Sequence, residues 1–438
     1  MSLKRRDFLK IAGGLSLGAP LYNCSLKRIS DSAAKSRWLS PLERWIPTVC
    51  QGCPGGCGIL ARVIDDRVVK VEGNPLHPLN RGKVCPKGQA GLQALYHPDR
   101  IKSPLKKTGN RNSGRWEAVS WEEALDDVAS RLKELRGSGK SHTVVFLGQN
   151  FQKATEDLVI RFLQAYGTPN YIKFDDWLTI KKAHLATQGI FDLLAVDLER
   201  TKLVLSFGAD FLTNWPVSIE NQRIYGEKRS NRDITIFHVE PRFSLCASRA
   251  DRWIPINPGT EALFALGVAS VIVKEKLYDE AYIRKFTLHF EEFEEILLKS
   301  IRLDRVSDLT GVPLRVLIEI AKEFSTQKPA VAVADHNLSY SSKGYFSALA
   351  IHHLNALVGS IDVPGGLLRQ RKAPLKKISP PALDEVARKG LSQPRIDGST
   401  EDKFSPVQDK TKTFCENVIK KNPYGIHCLF LLNQNPLL

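Results

Sequence analysis

The sequence predicts an α/β protein: a small β-rich N-terminal unit carrying four cysteines, then two doubly wound α/β domains. Three observations predict it. Short apolar runs recur along the body, each ending in Gly or a polar residue: Thr143 to Leu147, Leu203 to Phe207, Ile234 to Val239, Ala330 to Ala334 and Cys428 to Leu432. Stretches with helical apolar spacing lie between them, and buried strands alternating with helices imply a parallel sheet covered on both faces. Ahead of this body, four cysteines and two β-rich runs sit close together. A length of 438 residues accommodates two to four domains at about 100–200 residues each.

Composition narrows the class. Hydrophobic residues are 42% and charged residues 25%, which excludes a disordered or collagen-like chain. Eight cysteines in 438 residues are too sparse for a disulfide miniprotein. The net charge of +16 admits an anionic partner. No basic cluster interleaved with aromatics is present, so nucleic acid is not expected. The run Ala262 to Val273, between Glu261 and Lys274, is shorter than the roughly 20 residues a bilayer needs and reads as a buried helix.

Residues 1–40 read as an address. Lys4-Arg5-Arg6-Asp7-Phe8-Leu9-Lys10 precedes the weakly apolar run Ile11 to Leu21, the plan of a secretory leader. The paired arginines resemble a twin-arginine motif, which predicts the twin-arginine translocase as a partner and a periplasmic location. Cys24 is a weaker candidate for lipid attachment. This segment holds 8 Lys/Arg and 2 Asp/Glu, so over a third of the excess charge belongs to it.

Residues 41–108 read as a cluster-binding domain. Cys50, Cys53, Cys57 and Cys85 are spaced C-x2-C-x3-C-x27-C. Three thiolates in so short a stretch must wrap one compact object, and Gly52, Gly55, Gly56 and Gly58 let the backbone bend around it. A [4Fe-4S] cluster suits this spacing. A zinc site, which usually pairs two C-x2-C knuckles, and disulfides are the rivals. Ile59 to Ile64 and Arg67 to Val71 form a hairpin turned by Asp65-Asp66.

In the body, Ser120-Trp121-Glu122-Glu123 is a capping-box pattern. Leu125, Val128, Leu132 and Leu135 follow at helical spacing. The domains are drawn as 109–170 with 330–438, and 171–329. Ligands bind outside the carboxyl ends of parallel strands, which predicts ligand-facing edges at Gly148, Gly208, Glu240 and Asn435. Leu367 to Lys412 reads as a long loop. Cys246, Cys415 and Cys428 read as small core residues, and His184 as a packed or surface histidine.

The string Val84-Cys85-Pro86-Lys87-Gly88-Gln89-Ala90-Gly91 and the later Tyr96-His97-Pro98-Asp99-Arg100-Ile101 carry a resemblance. Further on come Gly148-Gln149-Asn150, Gly208-Ala209-Asp210, Glu240-Pro241-Arg242, Pro258-Gly259-Thr260-Glu261, Asn355-Ala356-Leu357, Asp362-Val363-Pro364-Gly365-Gly366 and Asn435-Pro436. In series these resemble the molybdopterin oxidoreductase family of the dimethyl-sulfoxide reductase type, with nitrate, formate, polysulfide and thiosulfate reductases as relatives. The resemblance covers essentially residues 45–438. It implies a bis-molybdopterin guanine dinucleotide with Mo or W, beside the cluster. It places Gly148, Gln149, Asn150, Gly208, Ala209, Asp210, Gly259 and Asn435 in cofactor-binding loops. Glu240 and Glu261 are placed to accept hydrogen bonds from guanine or ribose, Arg242 to face phosphate, and Lys87 between cluster and pterin. Family enzymes ligate the metal from a loop before a helix, which points near Asp176 with Asp175 adjacent; the other reading of Asp176 is a helix N-cap.

The resemblance implies an exported molybdopterin-dependent oxidoreductase. Its electrons would pass to a ferredoxin-like iron–sulfur subunit with a quinone-reactive membrane anchor, or to a cytochrome. An alternative is a non-catalytic iron–sulfur subunit of a quinone-linked complex. A third is an inactive fragment, because family members carry a further C-terminal dinucleotide-binding domain after Asn435-Pro436.

Overall fold

The computed structural model describes residues 43–433 apart from 111, 149–152, 174, 372–375, 377 and 400–409. The leader, Cys24, Gln149, Asn150 and Asn435 lie outside the described residues. The chain divides into a small unit (described residues 43–52 and 56–98) and a large one (53–55 and 99 onward).

In the small unit, β1 (Arg44–Val49), β2 (Gly58–Ile64) and β3 (Arg67–Gly73) form an antiparallel sheet in that order. The β2–β3 hairpin turns on Asp65 and Asp66, at φ 47° and 60°. Two left-handed residues in a two-residue loop match the right-handed twist of the strands they join. The helix Pro86–Leu95 follows, with Cys85 at its N-cap. Proline suits that first turn because its missing N–H would have no helical partner. The Tyr96 hydroxyl accepts the Val68 N–H at 2.7 Å, tying the helix end to β3.

The large unit opens with the hairpin β4 (Leu105–Thr108) and β5 (Arg115–Ala118), then the helix Trp121–Gly137. Ser120 accepts the Glu123 N–H at 3.0 Å, satisfying one donor of the first turn. Ser120→Ala is expected to lower stability by about 1 kcal/mol, read as a small fall in the urea midpoint. Leu135 is buried, but Leu125 and Val128 are 62% and 46% exposed, so only part of the expected stripe meets the core.

Two parallel sheets follow. β6 (Val144–Gly148), β7 (Tyr171–Lys173) and the later β14 (Cys428–Leu432) lie in the order β14-β6-β7. Between β7 and β14 in sequence come β8 (Leu194–Val196), β9 (Leu203–Phe207), β10 (Thr235–Val239), β11 (Arg252–Ile254), β12 (Ala330–Ala334) and β13 (Leu367–Arg369). The second parallel sheet runs β11-β10-β9-β12, and β13 pairs antiparallel with β8. Successive side chains of β9 enter opposite cores: Leu203, Leu205 and Phe207 on one face, Val204 on the other. That is the period-two signature of a strand covered on both sides. The helix Glu261–Lys274, which contains the long apolar run, is buried from Phe264 to Val273 save Leu266. Among the described residues, no helix is long and apolar enough to cross a membrane.

Several expected boundaries are corrected by strand pairing. Leu105–Thr108 pairs with Arg115–Ala118, so it leaves the cysteine domain drawn to residue 108. Tyr171–Lys173 joins β6 rather than the 171–329 domain. Ala330–Ala334 pairs with β9, so it belongs with 171–329 and not with the C-terminal segment. An apolar run announces a strand but not its partner. The expected loop at 367–412 also holds β13 and the helix Glu385–Leu391, capped by Asp384; so short a charged helix leaves little periodicity to read.

Candidate cofactor site

The cysteines come first. Cys50, Cys57 and Cys85 lie in the small unit and Cys53 in the 53–55 segment. None is in a disulfide; Cys57 is buried and the other three are half-buried. The Cys50 N–H donates to the Cys57 carbonyl at 2.8 Å, which closes the three-cysteine loop at its ends. Gly88 stands on the turn that Cys85 caps, and a Cβ there would meet Val84 Cγ2 at 2.6 Å and Cys50 Sγ at 3.8 Å. A side chain at Gly88 would therefore crowd the space beside Cys50.

The segment leading back to Cys85 is held by Asn80, a residue with no local sequence signal to mark it. Asn80, 1% exposed, accepts the Gly58 N–H at 3.0 Å and donates to the Gly58 and Lys83 carbonyls at 2.9 and 2.6 Å. It clamps the residue after Cys57 to the approach to Cys85. Among the described residues, no group of three or more His, Cys, Asp or Glu side chains is gathered closely enough to hold a metal ion. The fit to a [4Fe-4S] cluster thus rests on the donors: four thiols outside disulfides, which are the ligands such a cluster takes. Lys87 is exposed on the first turn after Cys85.

The second set of residues lies at the carboxyl ends of the β11-β10-β9-β12 sheet. Gly208 ends β9 at φ 60°, with nothing within 4 Å of a Cβ placed there. Its left-handed backbone suits glycine, and the space above it is open. Ala209 is fully buried, and the Asp210 N–H donates to Asp335 Oδ2 at 2.8 Å. Asp335, just past β12, is fully buried and also accepts the Asn337 N–H at 2.8 Å and Asn337 Nδ2 at 3.1 Å. These donors stabilise its carboxylate, while burial pushes its pKa up. Asp335 thereby locks the loop after β9 to the loop after β12.

Glu240, just past β10, is 8% exposed. Its Oε2 accepts from His238 Nε2 at 3.0 Å and its Oε1 from the Arg242 guanidinium at 3.3 Å. Arg242 is therefore engaged with Glu240, where the resemblance has it facing phosphate. Past β11, Gly259 is exposed and Glu261 half-buried at the start of its helix. Gly148 closes β6 in the other sheet.

Asp175 and Asp176 separate in role. Asp175 Oδ1 accepts the Trp177 N–H at 3.1 Å and Oδ2 the Lys181 ammonium at 2.7 Å. The helix Leu178–Gln188 begins after Trp177 with no side-chain cap, so the capping role expected of Asp176 is not seen, and Asp175 instead braces the turn that leads into it. Its two oxygens are thus already engaged, which does not fit an open metal ligand. The Asp176 carbonyl accepts the Ser339 hydroxyl at 2.8 Å. Trp177 packs edge-on to Trp215 at 5.0 Å and against His336 at 5.4 Å. The structure therefore brings the Asp176 turn to the loops after β9 and β12, near the segment that holds Gly208 and Asp210.

The other cysteines divide. Cys246 is buried; its thiol donates to Asp210 Oδ1 at 3.3 Å and burial pushes its pKa up to about 12. Cys428 is half-buried, but Cys415 is exposed, against the expectation of a core residue. His184 is buried and packed.

Burial lowers the pKa of His184, His238 and His352. In the unfolded chain each titrates near 6.5, so protonation below that favours unfolding. Their contribution to stability is complete above about pH 6.5 and is lost as pH falls through the lowered folded values. The urea midpoint is expected to drop from about pH 6.5 downward, well before the carboxylates titrate. His352→Leu is expected to make that drop shallower; an unchanged profile would contradict this assignment.

A family model for the molybdopterin oxidoreductase Fe4S4 domain matches residues 43–97, and one for molybdopterin oxidoreductase matches residues 100–438. The chain belongs to the molybdopterin oxidoreductase family. These domains support a molybdenum–pterin cofactor and a [4Fe-4S] cluster for this family member. Among curated relatives, the arsenate respiratory reductase molybdopterin-containing subunit ArrA of Shewanella sp. (strain ANA-3) is 30% identical, over 91% of this chain and 51% of that protein. The thiosulfate reductase molybdopterin-containing subunit PhsA of Salmonella typhimurium is 24% identical, over 100% and 58%. The menaquinone reductase, molybdopterin-binding-like subunit of Nitratidesulfovibrio vulgaris is 29% identical, over 88% and 55%. The chain thus spans about half the length of the curated relatives it matches. The solved acetylene hydratase from Pelobacter acetylenicus shares the fold, with a TM-score of 0.73 at 22% identity over 90% of this chain and 57% of that one.

Proposed function

We propose that this chain works in a molybdopterin-dependent oxidoreductase, exported by the twin-arginine route. Electrons pass through a [4Fe-4S] cluster to a ferredoxin-like subunit with a quinone-reactive anchor, or to a cytochrome. The observation that carries this reading is the set of four thiols outside disulfides, Cys50, Cys53, Cys57 and Cys85, within the matched Fe4S4 domain. The molybdenum–pterin group, taken here as the bis-guanine dinucleotide with Mo or W, supplies the two-electron redox chemistry when bound.

The chain's own residues bind and tune. The four thiolates hold the cluster. Open backbone at Gly208 admits close approach of a nucleotide, and Glu240, fixed by His238, offers carboxylate oxygens to ribose or guanine. Gly148, Gln149, Asn150, Gly259, Glu261 and Asn435 complete the cofactor loops by the family pattern. Asp176 is the proposed metal ligand by position, since the Asp175 oxygens are engaged by the Trp177 N–H and by Lys181. Lys87, exposed on the first turn after Cys85, would set a positive charge near the cluster that favours its reduced state. Lys87→Gln is expected to keep the iron and shift the cluster potential negative by on the order of tens of mV, read by redox titration.

The test is the full chain purified anaerobically from a pterin-producing host. Iron, molybdenum or tungsten, and pterin are measured together with viologen-linked turnover. All present, with turnover lost in Asp176→Ala, supports the reading. Iron without molybdenum, tungsten or pterin overturns it. That outcome favours a non-catalytic electron-transfer subunit, a second reading motivated by the absence of Cys or Ser at the expected ligand position. The Nitratidesulfovibrio relative, described as molybdopterin-binding-like, keeps this second reading in view. Export is tested by Arg5→Lys with Arg6→Lys, expected to retain the protein in the cytoplasm on fractionation.

A further inference from the structure

A cavity of about 260 Å³ lies in the large unit, walled by the helices Leu178–Gln188 and Gly344–Leu357 and by β8, β12 and β13. It is small beside ordinary ligand pockets of about 300–1,000 Å³, so its occupant is small. Trp177 and Trp215 form one side, and Ile351 and Leu367 contribute apolar surface. Among the described residues that line it there is no Lys or Arg, and one carboxylate, Glu220.

Two buried histidines also line the cavity. His184 and His352 are 7% and 5% exposed, with ring centroids 4.9 Å apart. His184 Nδ1 lies 2.9 Å from the Asp192 carbonyl. A carbonyl only accepts, so Nδ1 carries the proton and Nε2 presents a lone pair. That Nε2 has no hydrogen-bond partner among the described residues, and His184 is one of the residues that line the cavity. His352 Nε2 instead faces the Gln188 amide. Burial keeps both rings neutral at neutral pH.

We propose that this cavity is a binding site for a small uncharged molecule with an apolar body and one hydroxyl or N–H that donates to His184 Nε2. The walls bury the body, and the histidine gives the one directed contact. An anion would be desolvated beside Glu220 with no lining cation to offset the cost. The cavity lies beside the turn that holds Asp176, but binding in it needs neither cluster nor pterin and is tested independently of the redox reading.

Three probes of similar body test it on the full chain: cyclohexanol, methylcyclohexane and cyclohexanecarboxylate, followed by calorimetry and tryptophan emission at pH 7.5. Cyclohexanol is expected to bind saturably, about five- to tenfold tighter than methylcyclohexane, and the carboxylate not to bind. His184→Leu is expected to erase the preference for the hydroxyl while leaving binding of the apolar body. Ala348→Leu, which fills the cavity, is expected to abolish binding of both. The ranking in the unaltered protein needs no variant to fold. Binding of the carboxylate as tightly as the alcohol, a hydroxyl preference that survives His184→Leu, binding that survives Ala348→Leu, or binding of none of the three overturns the proposal.

Discussion

Cys57→Ala is expected to reduce bound iron from about four atoms per chain to near zero, while Cys246→Ala leaves it unchanged. Both side chains are buried, at 8% and 2% exposure, so loss of packing is similar in the two variants. Their chemistry differs. The Cys57 carbonyl closes the loop back to Cys50, and Asn80 clamps the next residue, Gly58. Its thiol is one of the four of the Fe4S4 domain. The Cys246 thiol is instead a hydrogen-bond donor to Asp210, with a pKa pushed up to about 12. A thiol that resists ionisation makes a poor ligand, since the thiolate is the species that binds metal. Iron analysis and visible absorption of anaerobically prepared protein decide the matter. Equal loss in both variants would show a general folding defect.

Asn355→Leu is expected to cost about 2–6 kcal/mol, because two buried backbone groups lose their partners at about 1–3 kcal/mol each. Asn355 is fully buried in the helix Gly344–Leu357. Its Oδ1 accepts the Ala332 N–H at 2.8 Å and its Nδ2 donates to the Ala332 carbonyl at 2.9 Å. β12 is the edge strand of its sheet, so one amide side chain stands in for the strand that is not there. Leucine keeps the heavy-atom count and branch point of asparagine and removes both hydrogen bonds, so the loss does not come from an emptied cavity. A loss that size is a large share of a typical stability of about 5–15 kcal/mol. The urea midpoint and hydrogen exchange at Ala332 would report it. A variant within 1 kcal/mol of the parent, or an Ala332 amide still protected, would contradict the bridging role.

Much of the architecture is legible in the chain itself. The strands Ala330–Ala334 and Cys428–Leu432 coincide with apolar runs that end at a turn. The Asp65-Asp66 turn and the Ser120 cap each follow from local rules acting over two to four residues. The cysteine spacing pointed to the cluster domain because a thiolate set of that shape has few chemical uses. Strand partners were not legible: β12 left its expected domain for β9, and β7 joined β6. Nor does the sequence mark Asn80, Asp335 and Asn355 as clamps, since their partners lie on segments that meet only after folding. A motif including Asn355 could be quoted from the sequence, but its reach to Ala332 could not.

The sequence by itself determined the class of chemistry and the local elements: cysteine spacing, strand and helix periods, capping residues and the left-handed turn. These depend on neighbours a few positions away. Only the tertiary structure decided which loops meet at the strand ends, that Asp175 engages Trp177 and Lys181, and that Arg242 engages Glu240. It alone joined His184 and His352 across one cavity. Hydrogen bonds and burial act through space over a few ångströms, and residues 164 or 168 positions apart become neighbours only when the sheets and helices pack.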